Sequence, residues 1–385
     1  MGVTEDRVEK EKPPRTKRVM KGLQKTRPEP GAVEIELAPV PEPGPNEVVV
    51  GVIAAGICGT DVHIYDWDQS ISGMMTPPVI FGHEFCGQVM ETGSKVPRER
   101  LKPGDFVSAE MHVTCGYCKE CRTGKGHVCS KTRIYGIHEN GCFAEYVKVP
   151  ASNVVRLPET LDPRIGAFLD ALGNAVHTAF ATDLTGKHVA VLGYGSIGAM
   201  SAAVAHFAGA ASVSVTEIDP FNLEKARAWR DSLQGKGSGT PVHVLDVSGG
   251  AAEAIKEIRE RTDGGVDAIL EMSGSARAIN DGLEMLRPGG EMQLLGLSPK
   301  DALTLEHYDR DLVFKGVTLR GIIGRRMFDT WIKMLDLLQG GLDVTHVVTH
   351  EFALEDYQKA FDTIHEGKAL KVILYPDPNR RALEK

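Results

Sequence analysis

With 385 residues, 42% of them hydrophobic and 25% charged, the chain can bury more than one core, and two domains are expected. A formal net charge of −8 gives no basic footprint, which excludes nucleic acid or an anionic membrane as the main partner. The seven cysteines are spaced for metal ligation in a reducing compartment rather than for a disulfide framework, no charged-then-apolar leader opens the chain, and a cytoplasmic enzyme is expected.

Residues 1–21 are charged and mixed in sign, contain Pro13-Pro14 and lack apolar periodicity, so a disordered extension is predicted there. From about residue 31 to 170, short β-type runs such as 47–53 and 104–107 alternate with Gly and Pro turns. This stretch carries two clusters of metal-ligating residues. The first joins Cys58, in Ala55-Gly56-Ile57-Cys58-Gly59-Thr60-Asp61-Val62-His63, to His83 and Glu84 in Gly82-His83-Glu84-Phe85-Cys86-Gly87. A thiolate, an imidazole and a carboxylate can hold zinc and keep one position open, but on spacing alone a single Cys and a distant His-Glu pair are more often unrelated core residues. The second cluster is Cys115, Cys118, Cys121 and Cys129, a C-x2-C-x2-C-x7-C run with Gly116, Gly124 and Gly126 available for tight turns. Four thiolates fill a tetrahedral shell, so this zinc is predicted to be structural and catalysis to need the other site.

From Val189 to Val215 there is no Asp, Glu, Lys or Arg, a length that would span a bilayer. Gly193, Gly195 and Gly198 interrupt it, and a buried strand followed by a core-facing helix explains the same apolarity. Those glycines form a G-x-G-x-x-G between the run 188–192 and an alanine-rich helix, and a second strand then ends at Glu217. In that context the turn can cradle a pyrophosphate, and an acid at the strand end accepts ribose hydroxyls and repels the extra phosphate of NADP, so NAD is the expected cofactor. A helix from Pro220, a strand near Val242, a helix from Ala251, a strand over 266–270, a helix near Ser275 and a strand over 291–295 complete a doubly wound parallel sheet. The segment 234–240 reads as a glycine-rich loop, a helix is predicted over 331–338, and Lys371-Val372-Ile373-Leu374-Tyr375 closes the chain as a strand.

Together these features resemble the zinc-containing medium-chain alcohol dehydrogenase family over nearly the whole chain after about residue 22. Gly82 to Val96 fits that family's G-H-E-x2-G-x5-G-x2-V pattern, and the four-cysteine lobe is also a family mark. The runs 56–68, 173–179, 271–274 and 324–331 carry a narrower resemblance to the branch that oxidises L-threonine at its 3-hydroxyl. The resemblance implies an α/β fold: a GroES-like β-barrel catalytic domain, from 22–174 and 327–385, plus a doubly wound Rossmann NAD-binding domain over 175–326. It implies a homotetramer or homodimer, one catalytic and one structural zinc per subunit, Glu84 in or beside the catalytic shell, and a proton relay through Thr60 to His63. It places Gly193, Gly195, Ile197, Gly198, Glu217, Asn222, Leu295, Gly296, Leu297, Ile322 and Ile323 at the cofactor. Asp170 stands where relatives carry a zinc-ligating Cys or Glu, and being shorter than Glu it is expected just outside direct contact with the metal.

A substrate with both a carboxylate and an ammonium calls for a buried cation, and Arg325 is the candidate for the carboxylate, with a solvent-facing or subunit-contact role as the alternative. The chain departs from the branch at Ala171, usually Pro, at Glu217, usually Asp, at Asn222, usually Arg, and in the loop 69–76. The expected reaction is oxidation of L-threonine to 2-amino-3-oxobutanoate with NAD, and a polyol, butanediol or secondary-metabolite alcohol is the alternative substrate. A catalytically silent nucleotide-binding protein is the reading from another class; the joint presence of Cys58, Thr60, His63 and His83 argues against it.

Overall fold

The computed structural model describes residues 18–234, 239–298, 302–377 and 380. Two sheets organise these residues. The first has six parallel strands in the order Val242–Asp246, Ser212–Glu217, His188–Leu192, Val266–Glu271, Leu286–Leu294 and Thr318–Gly321. Its centre is His188–Leu192, whose last four residues are buried because helices cover both faces. The charge-free run 189–215 is thus strand, glycine turn, helix Ser196–Phe207 and strand, and among the described residues no helix is long and apolar enough to cross a membrane.

Helices begin where sequence chemistry starts them: Asp219 caps Pro220–Leu233 by accepting from Asn222 N, with Pro at the first turn, and Ser275 caps Ala276–Met285 by accepting from Ala278 N. Two details differ from the predicted elements. The fifth strand starts at Leu286, five residues before the expected 291, and runs through Pro288-Gly289-Gly290 with a register shift that disguises it as a turn. The sixth strand, Thr318–Gly321, is an exposed four-residue edge too short to show a period.

The second sheet is antiparallel at its core, with Glu47–Gly56 central and buried through nine of its ten residues. Phe85–Thr92 and Tyr146–Pro150 pair with it, and so does the closing strand Lys371–Tyr375, through Ile373 opposite Gly56. The end of the chain therefore returns to the first half. A smaller sheet contains Val19–Lys25, which begins inside the predicted extension; residues 1–17 lie outside the described residues, as do 235–238 of the glycine-rich loop. Between the two main sheets runs the helix Leu169–Ala179, buried at ten of its eleven positions, and this helix brings Asp170 to the site.

Candidate active site

The cysteine lobe stands on the two-stranded ribbon of His112–Val113 and Arg133–Ile134. Its Sγ–Sγ separations are 3.4 Å for Cys118–Cys121, 3.6 Å for Cys115–Cys129, 3.7 Å for Cys118–Cys129 and 4.0 Å for Cys115–Cys121. They bracket the edge of about 3.8 Å that a tetrahedron with metal–sulfur bonds of about 2.3 Å requires. Backbone N–H groups of Cys118, Cys121 and Lys131 point at the sulfurs of Cys115, Cys118 and Cys129, as thiolates need. Gly116 and Gly124 turn the chain with φ of 77° and 75°, whereas Gly126 has no positive φ. This is a closed zinc site.

The second cluster is assembled from distant segments. Cys58 caps the helix Gly59–Asp66, and His83 and Glu84 lie immediately before the strand Phe85–Thr92. One ligand atom from each of the three falls within 4.8 Å of the others. Glu84 Oε1 is buried with no hydrogen-bond partner, the signature of a donor waiting for a cation. A thiolate, an imidazole and a carboxylate make three zinc ligands with a fourth position left for substrate, so the residues fit a catalytic zinc.

Two residues beyond the sequence reading support this shell. Asp61 accepts from Cys58 N at 2.9 Å and lies 3.4 Å from His83 Nδ1, which orients the ring and leaves Nε2 for metal. Burial depresses the His83 basicity, but the Asp61 carboxylate and Cys58 outweigh it and hold the imidazole well above its ordinary value. Lys371, on the closing strand, donates to Ile57 O at 2.8 Å and sits 2.5 Å from Glu84 Oε2. Burial pushes the Glu84 carboxyl up, and the Lys371 ammonium opposes it. Asp61 was legible as a helix-capping acid three residues after Cys58; Lys371 left no local signal.

Thr60 Oγ1 is 3.9 Å from Cys58 Sγ, and His63 follows one helical turn later with its side chain half exposed. The neighbouring run Tyr65-Asp66-Trp67 is engaged in other contacts. Tyr65 stacks on Phe361 at 4.5 Å, Asp66 pairs with His365 at 3.1 Å, and Trp67 lies under the Lys25 ammonium at 5.3 Å.

Arg325 is the clear correction. Expected to hold a substrate carboxylate, it is instead 2% exposed and used on every nitrogen. Nε and Nη2 donate to Glu110 at 2.9 and 2.7 Å, Nη1 donates to Asp170 Oδ2 at 2.8 Å and Asn174 Oδ1 at 3.2 Å, and Nη2 also meets Asp170 Oδ1 at 2.7 Å and His112 Nδ1 at 2.8 Å. No N–H is left to greet a ligand. Gly173 makes the burial possible, since a Cβ there would meet Arg325 Cδ at 2.4 Å. Glu110, His112 and Asp170 cluster like a metal site, but the cation between them is this guanidinium. Asp170 is thus outside the Cys58, His83, Glu84 group and faces Arg325, while its charge still raises Glu84.

The glycine turn is built as its motif requires. Gly193 takes φ of 90°, and a Cβ on Gly198 would lie 2.1 Å from Gly193 O, so only glycine lets the helix Ser196–Phe207 approach the strand. Glu217 is buried and holds this turn itself: it accepts from Tyr194 N at 2.6 Å, Ile218 N at 2.7 Å, Asp219 N at 2.9 Å and, more loosely, Asn222 Nδ2 at 3.4 Å. Leu295, Gly296 and Leu297 follow the fifth strand, and Ile322 and Ile323 the sixth. Leu297 and Ile323 are exposed.

Residues 44–159 match the alcohol dehydrogenase GroES-like domain and residues 196–340 the zinc-binding dehydrogenase domain. Across 356 residues the chain is 42% identical to an L-threonine 3-dehydrogenase of Anaeromyxobacter dehalogenans, covering 92% of this chain and 98% of that one. It belongs to the zinc-binding alcohol dehydrogenase family. Solved structures similar to this dehydrogenase include 2R,3R-butanediol dehydrogenase from Bacillus subtilis, at TM-score 0.81, 27% identity, and coverage of 93% of this chain and 100% of that one. An alcohol dehydrogenase from Thermotoga maritima gives TM-score 0.82 and 26% identity, covering 94% and 100%. The chain is accordingly a zinc-dependent alcohol dehydrogenase with a GroES-like domain and a Rossmann-type sheet.

Proposed function

We propose that this dehydrogenase oxidises the 3-hydroxyl of L-threonine to 2-amino-3-oxobutanoate, with NAD as hydride acceptor. The observation that carries the substrate is the 42% identity to an L-threonine 3-dehydrogenase over almost the full length of both chains. Fold and metal ligands alone fit other secondary alcohols equally well.

Zinc held by Cys58, His83 and Glu84 supplies Lewis acidity toward the alcohol oxygen, and NAD supplies the hydride acceptor. Asp61 and Lys371 keep the ligand side chains aimed while the site waits for substrate. Thr60 Oγ1 accepts the alcohol proton as it releases its own toward His63, and His63, half exposed at the helix end, delivers a proton to water. The turn Gly193–Gly198, with Ile197, offers its helix N-terminus to the pyrophosphate. Glu217 meets the adenosine ribose by exchanging its long bond from Asn222 for a hydroxyl, and its charge disfavours a 2′-phosphate. Leu295, Gly296, Leu297, Ile322 and Ile323 line the nicotinamide end. In this reading 22–174 and 327–385 form the catalytic domain, 175–326 binds the cofactor, and subunits associate in the cytoplasm as a homotetramer or homodimer.

Incubation of the zinc-loaded protein with L-threonine and NAD should give NADH and aminoacetone, the decarboxylation product, in equal amounts. Absence of NADH formation with L-threonine, while another secondary alcohol reacts, overturns the substrate and spares the dehydrogenase.

A further inference from the structure

On the relay reading of His63 given above, we propose that Asp68 is a positioning residue for proton exit: it fixes the His63 imidazole with its proton on Nδ1 and its Nε2 free to accept.

The helix Gly59–Asp66 ends at Trp67, whose φ of 52° swings the chain back along the helix. That reversal lays the Asp68 carboxylate against His63, where Oδ2 is in direct hydrogen-bond contact with Nδ1. The other oxygen is fixed from the far side, accepting from Ser70 N at 2.9 Å and Ser70 Oγ at 2.6 Å. Asp68 N donates to His63 O at 3.4 Å, so backbone and side chain both tie the two residues together. The turn itself is anchored from below: Lys25, fully buried, donates to Tyr65 O at 3.1 Å and to Glu29 O at 2.6 Å. Two side chains that are each substantially exposed are therefore held in one geometry by a rigid support.

The chemistry follows from what each group can do. An ionised carboxylate only accepts, so the single N–H of a neutral imidazole turns to it, and Nε2 becomes the acceptor. The Ser70 bonds, and after them the His63 contact, hold the Asp68 carboxyl below its ordinary range, which keeps it ionised. The proton handed on by Thr60 binds at Nε2, the Nδ1 proton stays with Asp68, and the Nε2 proton then leaves to water, so the pair returns unchanged. Asp68 touches neither substrate nor cofactor; it acts through His63.

Asp68→Asn retains the cap of the helix Gln69–Ser72 and removes the charge. Histidine ¹⁵N spectra of the wild-type protein, with His63→Gln used for assignment, should show His63 protonated on Nδ1, and Asp68→Asn should show mixed tautomers. In weak buffer the kcat of both variants should fall by about a hundredfold or more, the low end for a general base, and added imidazole should restore it, with zinc content and NADH binding unchanged. His63 protonated on Nε2 in the wild type overturns the proposal whatever the variants do. Normal kcat and tautomer in Asp68→Asn, beside a slow and imidazole-rescued His63→Gln, overturns Asp68 alone. Normal kcat in His63→Gln removes the relay, and the proposal with it.

Discussion

The guanidinium of Arg325 meets the carboxylate of Glu110 fork to fork, with Nε–Oε2 at 2.9 Å and Nη2–Oε1 at 2.7 Å, and Trp331 Nε1 adds a third bond to Oε2 at 2.9 Å. Both charges are sealed from water, and they lock the segment after the sixth parallel strand onto the end of the strand Phe106–Ala109. Burial alone would raise Glu110, yet Arg325 holds its carboxyl well below the usual range. Glu110→Gln leaves a buried guanidinium short of its partner, so it should lower the unfolding free energy by about 3–5 kcal/mol. Urea unfolding followed by tryptophan fluorescence measures this. A change within error would show that the pair is not what joins these segments.

The two metal sites should fail differently. Cys58→Ser should abolish turnover while the fold and one zinc per subunit remain, because Cys58 sits at a helix cap in a packed site. Cys118→Ser removes one corner of the tetrahedron while its hydroxyl can still cap Lys119–Arg122, so with the metal lost thermal stability or assembly should drop before the chemistry does. Metal analysis of unchelated wild-type protein checks the premise at two zinc ions per subunit; one or none contradicts it.

The sequence made the zinc lobe legible because its four ligands lie within one short stretch, where spacing and geometry are nearly the same thing. The glycine turn was legible for a similar reason, since Gly193 and Gly198 serve a contact five residues long. Arg325 was misread because its partners, Glu110 and Asp170, are 215 and 155 residues away, and no local pattern distinguishes a structural arginine from one that greets substrate. Lys371 beside Glu84 was invisible on the same ground. The contact of Asp68 with His63 was not legible either, because it depends on the left-handed turn at Trp67.

NAD should be preferred over NADP by about a hundredfold in kcat/KM, the scale set by placing like charges together at a binding site. Glu217→Ser with an added arginine nearby should narrow that ratio, but it also releases Tyr194 N and Asp219 N, so NAD affinity should fall as well. Comparable kcat/KM for both cofactors in the wild type would refute the role of Glu217.

His346 gives a stability dependence on pH. It stacks on Trp229 at 5.4 Å, its Nε2 is buried without a partner, and burial, only partly offset by Asp343, lowers it from 6.5 to about 4. Below pH 6.5 the unfolded chain binds a proton that the folded chain refuses until about pH 4. Stability is therefore full above pH 6.5 and falls across that window, by about 3 kcal/mol from this group alone. His346→Phe, which keeps the stack, should flatten the decline between pH 6.5 and 4 in chemical denaturation. An unchanged slope would assign acid sensitivity elsewhere.

The central claim is the substrate, and one comparison tests it most directly: kcat/KM of purified, zinc-replete protein with NAD for L-threonine, 2,3-butanediol and sorbitol under the same conditions. L-threonine should be the best of the three by at least about tenfold, the low end of discrimination between related substrates, as the 42% identity to an L-threonine 3-dehydrogenase implies. Equal or higher kcat/KM with butanediol or sorbitol would contradict the assignment and leave a zinc-dependent dehydrogenase of another alcohol.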